Sequence, residues 1–142
     1  MIILDTNVLS EPTRPHPAEA VLAWASDIPS AELFTTVISQ AEMLVGLEIM
    51  PHGRRRAILA ERIEQIFAFD FAGRVLPFEG MAARALSILP LRRGRSGKPV
   101  IDSDALIAAI ASANNAVVAT RDISGFRHYG IPLLNPWTGE KA

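Results

Sequence analysis

The chain has 142 residues, 49% of them hydrophobic, and a formal net charge of −1; this is the size of one domain, residues 1–142, with apolar material for a substantial core. It contains no cysteine, which excludes disulfides, thiolate metal sites and cysteine nucleophiles and leaves oxygen to hold any metal. The near-neutral balance gives no overall attraction for nucleic acid, and no run approaches the ~18 apolar residues that span a bilayer, so a cytoplasmic protein without membrane contact is expected.

Residues 1–4 form an apolar run cut off by Asp5-Thr6-Asn7, the pattern of a buried strand that delivers polar side chains at its C-terminal end. Three prolines between Pro12 and Pro17 forbid regular helix, and Ala18–Ser26, carrying Val21, Leu22 and Trp24, is the first predicted helix. Leu33–Val37 is rich in β-formers. Ser39-Gln40-Ala41-Glu42 has the form of a capping box, with the glutamate bonding back to the Ser39 amide, and leads into a helix through Met43 to Met50. Arg54–Phe71 is the longest predicted helix; Ile58, Leu59, Ile63, Ile66 and Phe67 make one stripe, with Arg55, Arg62 and Glu64 largely off it.

Val75–Phe78 reads as a short strand and Gly80–Leu89 as a helix stopped by Pro90. Arg92–Pro99 is basic and glycine-containing, hence an exposed loop. An alanine-rich helix, Asp104–Ala113, follows, then a strand at Val117–Ala119 ending in Thr120-Arg121-Asp122, and a last strand at Ile131–Leu134. His16, His52 and His128 fall in polar loops and are expected at the surface, which gives a Ser-His-Asp triad little support. The glycines form neither a Walker nor a dinucleotide fingerprint.

The alternation of strands and helices predicts an α/β domain with a mostly parallel central sheet. Ligands of such sheets bind at the carboxyl ends of strands near the topological switch point. Asp5 and Asp122 directly follow strands, and Glu42 and Asp104 stand in first turns of helices, so all four carboxylates can face one edge. Each also has a structural reading: Asp5 as an Asx-type cap, Glu42 as the capping-box glutamate, Asp104 as an acid favoured by the helix dipole, and Asp122 as a turn starter. Asp102, two residues before Asp104, points to a different helix face and is expected to be a cap or a supporting residue. Converging carboxylates suit a hard divalent cation, Mg²⁺ or Mn²⁺, and such ions serve phosphodiester hydrolysis. Beside such a site the basic runs Arg54-Arg55-Arg56 and Arg92-Arg93-x-Arg95, otherwise solvated faces, become phosphate grips.

These residues resemble the PIN-domain ribonucleases, specifically the VapC toxins of toxin–antitoxin modules and their FitB-like branch. The likeness rests on Ile2-Ile3-Leu4-Asp5-Thr6-Asn7-Val8-Leu9-Ser10-Glu11, Ser39-x-Ala41-Glu42 with Gly46 downstream, Asp104-Ala105-x-Ile107-Ala108-Ala109-Ile110-Ala111, Val118-Ala119-Thr120-Arg121-Asp122 before Phe126, and the tail Ile131–Trp137. It covers almost the whole chain. The resemblance implies a three-layer α/β/α fold, a Mg²⁺- or Mn²⁺-dependent endoribonuclease leaving 5′-phosphate and 3′-hydroxyl ends, a homodimer, and a cognate antitoxin that covers the active site and brings the complex to operator DNA. Its metal-site acids carry over to Asp5, Glu42, Asp104 and Asp122, with Asp5 and Asp104 as main ligands. Thr6, Asn7 and Thr120 become polar supports, and Arg92, Arg93 and Arg121 candidate phosphate contacts. Ile101 stands where relatives often place a helix cap, a role that Asp102 can supply, and Pro90 shortens a helix that relatives carry further.

Two functions from different classes follow: an RNase toxin, or a weakly active PIN subunit working mainly in an antitoxin-containing, DNA-binding autoregulatory complex. Retention of all four acids favours the first. An aspartyl-phosphate hydrolase using Asp5 as nucleophile is a third reading; it calls for a second acid at position 7, where this chain has Asn7.

Overall fold

The computed structural model describes all residues, Met1–Ala142. Its strands are β1 (Ile2–Leu4), β2 (Leu33–Thr36), β3 (Val75–Leu76), β4 (Val117–Ala119) and β5 (Leu133–Leu134). They form one sheet in the order β3-β2-β1-β4-β5, and every neighbouring pair is parallel. The helices are α1 (Thr6–Ser10), α2 (Glu19–Ser26), α3 (Val37–Glu48), α4 (Arg54–Glu64), α5 (Gly80–Ile88), α6 (Ser103–Ala113) and α7 (Ile123–Phe126). None is long and apolar enough to cross a membrane.

Strand side chains alternate between faces, and this chain has an apolar residue for each. Ile3 and Val118 face a cluster with Ile107 and Ile110 of α6 and Phe126 of α7, all fully buried. Leu4 and Ala119 face the other side, with Val8 and Leu9 of α1, Val21 of α2, Met43 of α3 and Ile63 of α4. Helices therefore cover both faces, giving three layers, and each large side chain buried in this way contributes about 1.5–3 kcal/mol.

From β1 the chain steps outward to β2 and β3, then crosses back to β4 and β5, so the switch point lies between β1 and β4. Leu4 pairs in register with Ala119. The next residues, Asp5 and Thr120, are consequently side by side at the carboxyl edge.

Several boundaries differ from the sequence expectation. β2 ends at Thr36, whose hydroxyl accepts from the Ser39 N–H at 3.1 Å and caps α3. The Ser39–Glu42 capping box therefore does not form: Ser39 lies inside the helix, and Glu42 is freed for other work. The long fourth helix is α-helical only to Glu64 and continues as a π-helix over Gln65–Asp70. Two short helices, α1 and α7, replace expected turns, each started by an aspartate cap. His16 and His52 are exposed as expected, but His128 is half-buried with its ring 3.8 Å from that of Tyr129.

Candidate metal centre

Asp5 ends β1 and caps α1, and its carboxylate is only 5% exposed. Oδ1 accepts from the Thr6 N–H at 2.7 Å; Oδ2 accepts from the Asn7 amide at 2.8 Å and from the Thr120 hydroxyl at 2.7 Å. Thr120 in turn accepts from Asn7 Nδ2 at 3.3 Å and from the Asp122 N–H at 3.0 Å, so its single proton is free to serve Asp5. The Asn7 carbonyl accepts from the Arg121 N–H at 3.1 Å. This lattice ties the end of β1 to the end of β4. Burial raises the Asp5 carboxyl from 3.8 to about 6 against the lowering effect of Thr120 and Thr6, and the charges of Asp104 and Glu42 add to the rise.

Glu42 projects from α3 toward α1, where the Thr6 hydroxyl donates to its Oε1 at 2.8 Å. Asp104 lies in the first turn of α6, with its side chain 32% exposed. Asp102 caps that helix by accepting from the Ala105 N–H at 3.0 Å, and Tyr129 donates to the same oxygen at 3.3 Å. Arg92 pairs with Asp102 and stands 3.9 Å from Asp104. The cap thus separates two acids close in sequence: Asp102 is engaged by the fold and Asp104 is left open. Burial raises the Asp104 carboxyl; Asp102, Asp122 and Glu42 raise it further, while Arg92 opposes them.

Asp122 caps α7, and its Oδ1 accepts from the Gly125 N–H at 2.8 Å and the Ser124 hydroxyl at 2.9 Å. Its other oxygen lies against Gly125 so closely that a Cβ there would stand 2.3 Å from Oδ2. Gly125 is therefore a positioning residue that sequence reasoning missed, although Asp122-x-Ser124-Gly125 carries the pattern of an aspartate cap. Of the three candidate phosphate contacts, only Arg92 has its charge balanced by an acid. Arg92 is held by Asp102, Arg93 donates to the Gly97 carbonyl at 3.1 Å, and the Arg121 guanidinium lies 5.2 Å from the Trp137 ring centre.

The four acids share one edge within range of mutual repulsion, yet no three of them close on a single point. Their oxygens fit a hard cation: Asp5 Oδ1 carries one hydrogen bond of the two it can take, Glu42 Oε2 and Asp122 Oδ2 carry none, and Asp104 meets only a distant Arg92. An ion there would offset both the burial and the neighbouring charges that raise Asp5 and Asp104.

Over almost its whole length the chain is similar to known proteins. Residues 2–132 match the PIN domain. The VapC ribonuclease Y4jK of Sinorhizobium fredii is 43% identical over 137 residues, covering 96% of this chain and 98% of that protein. The toxin FitB of Neisseria gonorrhoeae is 37% identical over 137 residues, covering 96% and 99%. A solved structure of FitAB bound to an IR36 DNA fragment superposes with a TM-score of 0.85 at 38% identity, covering 99% of this chain and 98% of the other.

Proposed function

We propose that this chain, which belongs to the PIN-domain family, is a divalent-metal-dependent endoribonuclease acting as the toxin of a toxin–antitoxin pair. The observation that carries the reading is the buried Asp5, clamped between Thr6, Asn7 and Thr120 at the switch point and sharing its edge with Glu42, Asp104 and Asp122. Asp5 and Asp104 are the residues to hold Mg²⁺ or Mn²⁺, with Glu42 and Asp122 alongside. The ion supplies Lewis acidity at phosphate oxygens and a bound water of lowered pKa.

The chain's own groups do the positioning. Thr6 fixes the rotamer of Glu42 and leaves Oε2 to orient or accept a proton from the attacking water. Thr120 and the Thr6 N–H favour the charged Asp5 carboxylate but only partly offset its burial, and Asn7 helps to orient it. Asp122 is fixed through Oδ1 by Gly125 and Ser124, and its Oδ2, which makes no hydrogen bond, lies against Gly125.

The relatives named above, a VapC ribonuclease and a FitB toxin found as FitAB on DNA, support a cognate antitoxin as partner, RNA as substrate in the cytoplasm, and operator DNA reached through the antitoxin. Exposed apolar side chains at Val45 on α3, Ile49 just after it and Ile88 on α5 support cover by another chain, including a second copy in a homodimer. The second reading, a weakly active subunit of a DNA-bound regulatory complex, is favoured by the FitAB–DNA likeness. Cleavage of structured RNAs by antitoxin-free protein separates the two. The nuclease reading expects activity with Mg²⁺ or Mn²⁺, none with EDTA, and at least a hundredfold loss in Asp5→Asn and Asp104→Asn. Metal-independent cleavage, or full activity in both variants, overturns it. No cleavage under any condition, with operator binding only by the antitoxin complex, establishes the alternative.

A further inference from the structure

The arginines at the start of α4 have different fates. Arg56 is used within the fold, donating to the Glu48 and Met50 carbonyls at 3.3 and 3.0 Å and to the Glu48 carboxylate at 3.2 Å. Arg55 makes no hydrogen bond or ion pair through its side chain and lies on a cleft of about 450 Å³ together with Arg14 and Arg62. Arg62 donates to the Pro12 carbonyl at 3.0 Å, a neutral acceptor that leaves its charge uncompensated. Arg14 is balanced by the buried Glu11 at 3.3 Å. Three cations face one carboxylate, so the cleft is positive in a protein whose net charge is −1.

This cleft runs into a second hollow of about 270 Å³ that shares Thr13 and Leu59 with it. The second hollow is bordered by Ser10, Thr13 and Gly46 and reaches Thr6, whose hydroxyl holds Glu42. A trough therefore leads from Thr6 beside the acid cluster, past Ser10, Thr13 and the apolar Met43 and Leu59, to Arg55 and Arg62. A Cβ built on Gly46 meets nothing within 4 Å, so the neck is open at that point.

We propose that this trough is the path of a single-stranded RNA backbone, with the hydrolysed phosphate at the four acids and a neighbouring stretch of backbone gripped by Arg55 and Arg62. The proposal rests on the ribonuclease reading above and adds the direction in which substrate leaves the site. Phosphates supply the counter-charge that the cleft lacks, and the Ser10 hydroxyl, whose proton is not used within the fold as those of Thr6 and Thr13 are, is a donor suited to phosphate and 2′-hydroxyl oxygens.

The test is fluorescence anisotropy of a labelled twelve-nucleotide single-stranded RNA in Ca²⁺ buffer, with melting temperatures confirming that each variant is folded. Arg55→Glu and Gly46→Phe are each expected to weaken binding at least tenfold, the first by charge and the second by blocking the neck. Arg55→Glu should also flatten the slope of log Kd against log salt by about 0.7, the value for one lost phosphate contact on a single strand. Arg84→Glu, an equal charge change on α5 across the sheet, is the control and should stay within twofold of wild type. Unchanged binding in the first two variants, or equal weakening in all three, overturns the path. So does loss of affinity for a poly-glutamate peptide with RNA binding intact, which would make the trough a protein-docking groove. A wild type that cleaves RNA while Arg55→Glu binds as tightly fails the path alone; one that binds through Arg55 but never cleaves fails the nuclease reading alone.

Discussion

Asp5 carries an energetic penalty that bound metal would remove. Its folded pKa of about 6 lies above the unfolded value of 3.8, so the native state holds the proton more tightly. The associated stability is complete below about pH 4 and is lost as pH rises through about 6. Metal-free protein should therefore lose about 3 kcal/mol from this group across that window, two pKa units at 1.4 kcal/mol each. Urea denaturation at pH 4, 5, 6 and 7 measures the fall, and saturating Mg²⁺ should largely abolish it at pH 7. A flat profile without metal contradicts the assigned environment. Gly125 offers a second check at this scale. Gly125→Ala places a methyl group against the Asp122 carboxylate and should lower kcat at least tenfold while secondary structure by circular dichroism is kept. Asp5 and Asp122 stand out in the sequence because each closely follows an apolar run and Asp104 because it opens a helix, whereas Glu42 was placed by a capping box that does not form. Gly125 does not stand out, because close approach to a side-chain oxygen leaves no trace in hydrophobic pattern.

At the scale of elements, the misread capping box is instructive. Ser39-x-x-Glu42 satisfies the pattern, but Thr36 lies three residues earlier at the strand end and wins the cap, since its extended backbone lets the hydroxyl reach the Ser39 N–H. That choice adds a turn to α3 and turns Glu42 toward Thr6. Thr36→Ala should cost about 1 kcal/mol of stability, whereas Ser39→Ala should be neutral or slightly stabilising, because the buried Ser39 hydroxyl has no partner. Thermal melts of the two variants decide it, and the reverse order would restore the capping box. Helices α2, α5 and α6 were found within a few residues, since proline and apolar periodicity bound them. α1 and α7 escaped because four- and five-residue helices have too few turns to show a period and depend on aspartate caps for their start.

For the whole molecule, the decisive feature is the strand order. Period-two patterning and alternating elements predict a parallel sheet, and parallel pairing is what the chain adopts. The order β3-β2-β1-β4-β5 is set by long-range packing of α5 and α6 against one face and α1 to α4 against the other, which no local pattern encodes. That order brings Asp5 beside Thr120 and assembles acids from distant parts of the chain. The account stands on those acids acting together toward one kind of ion. Calorimetric titration of Mn²⁺ into antitoxin-free protein at pH 6 tests it most directly. Wild type should bind with release of protons displaced from Asp5, and Asp5→Asn and Asp104→Asn should each weaken binding at least tenfold. Equal affinity in wild type and both variants would contradict the account.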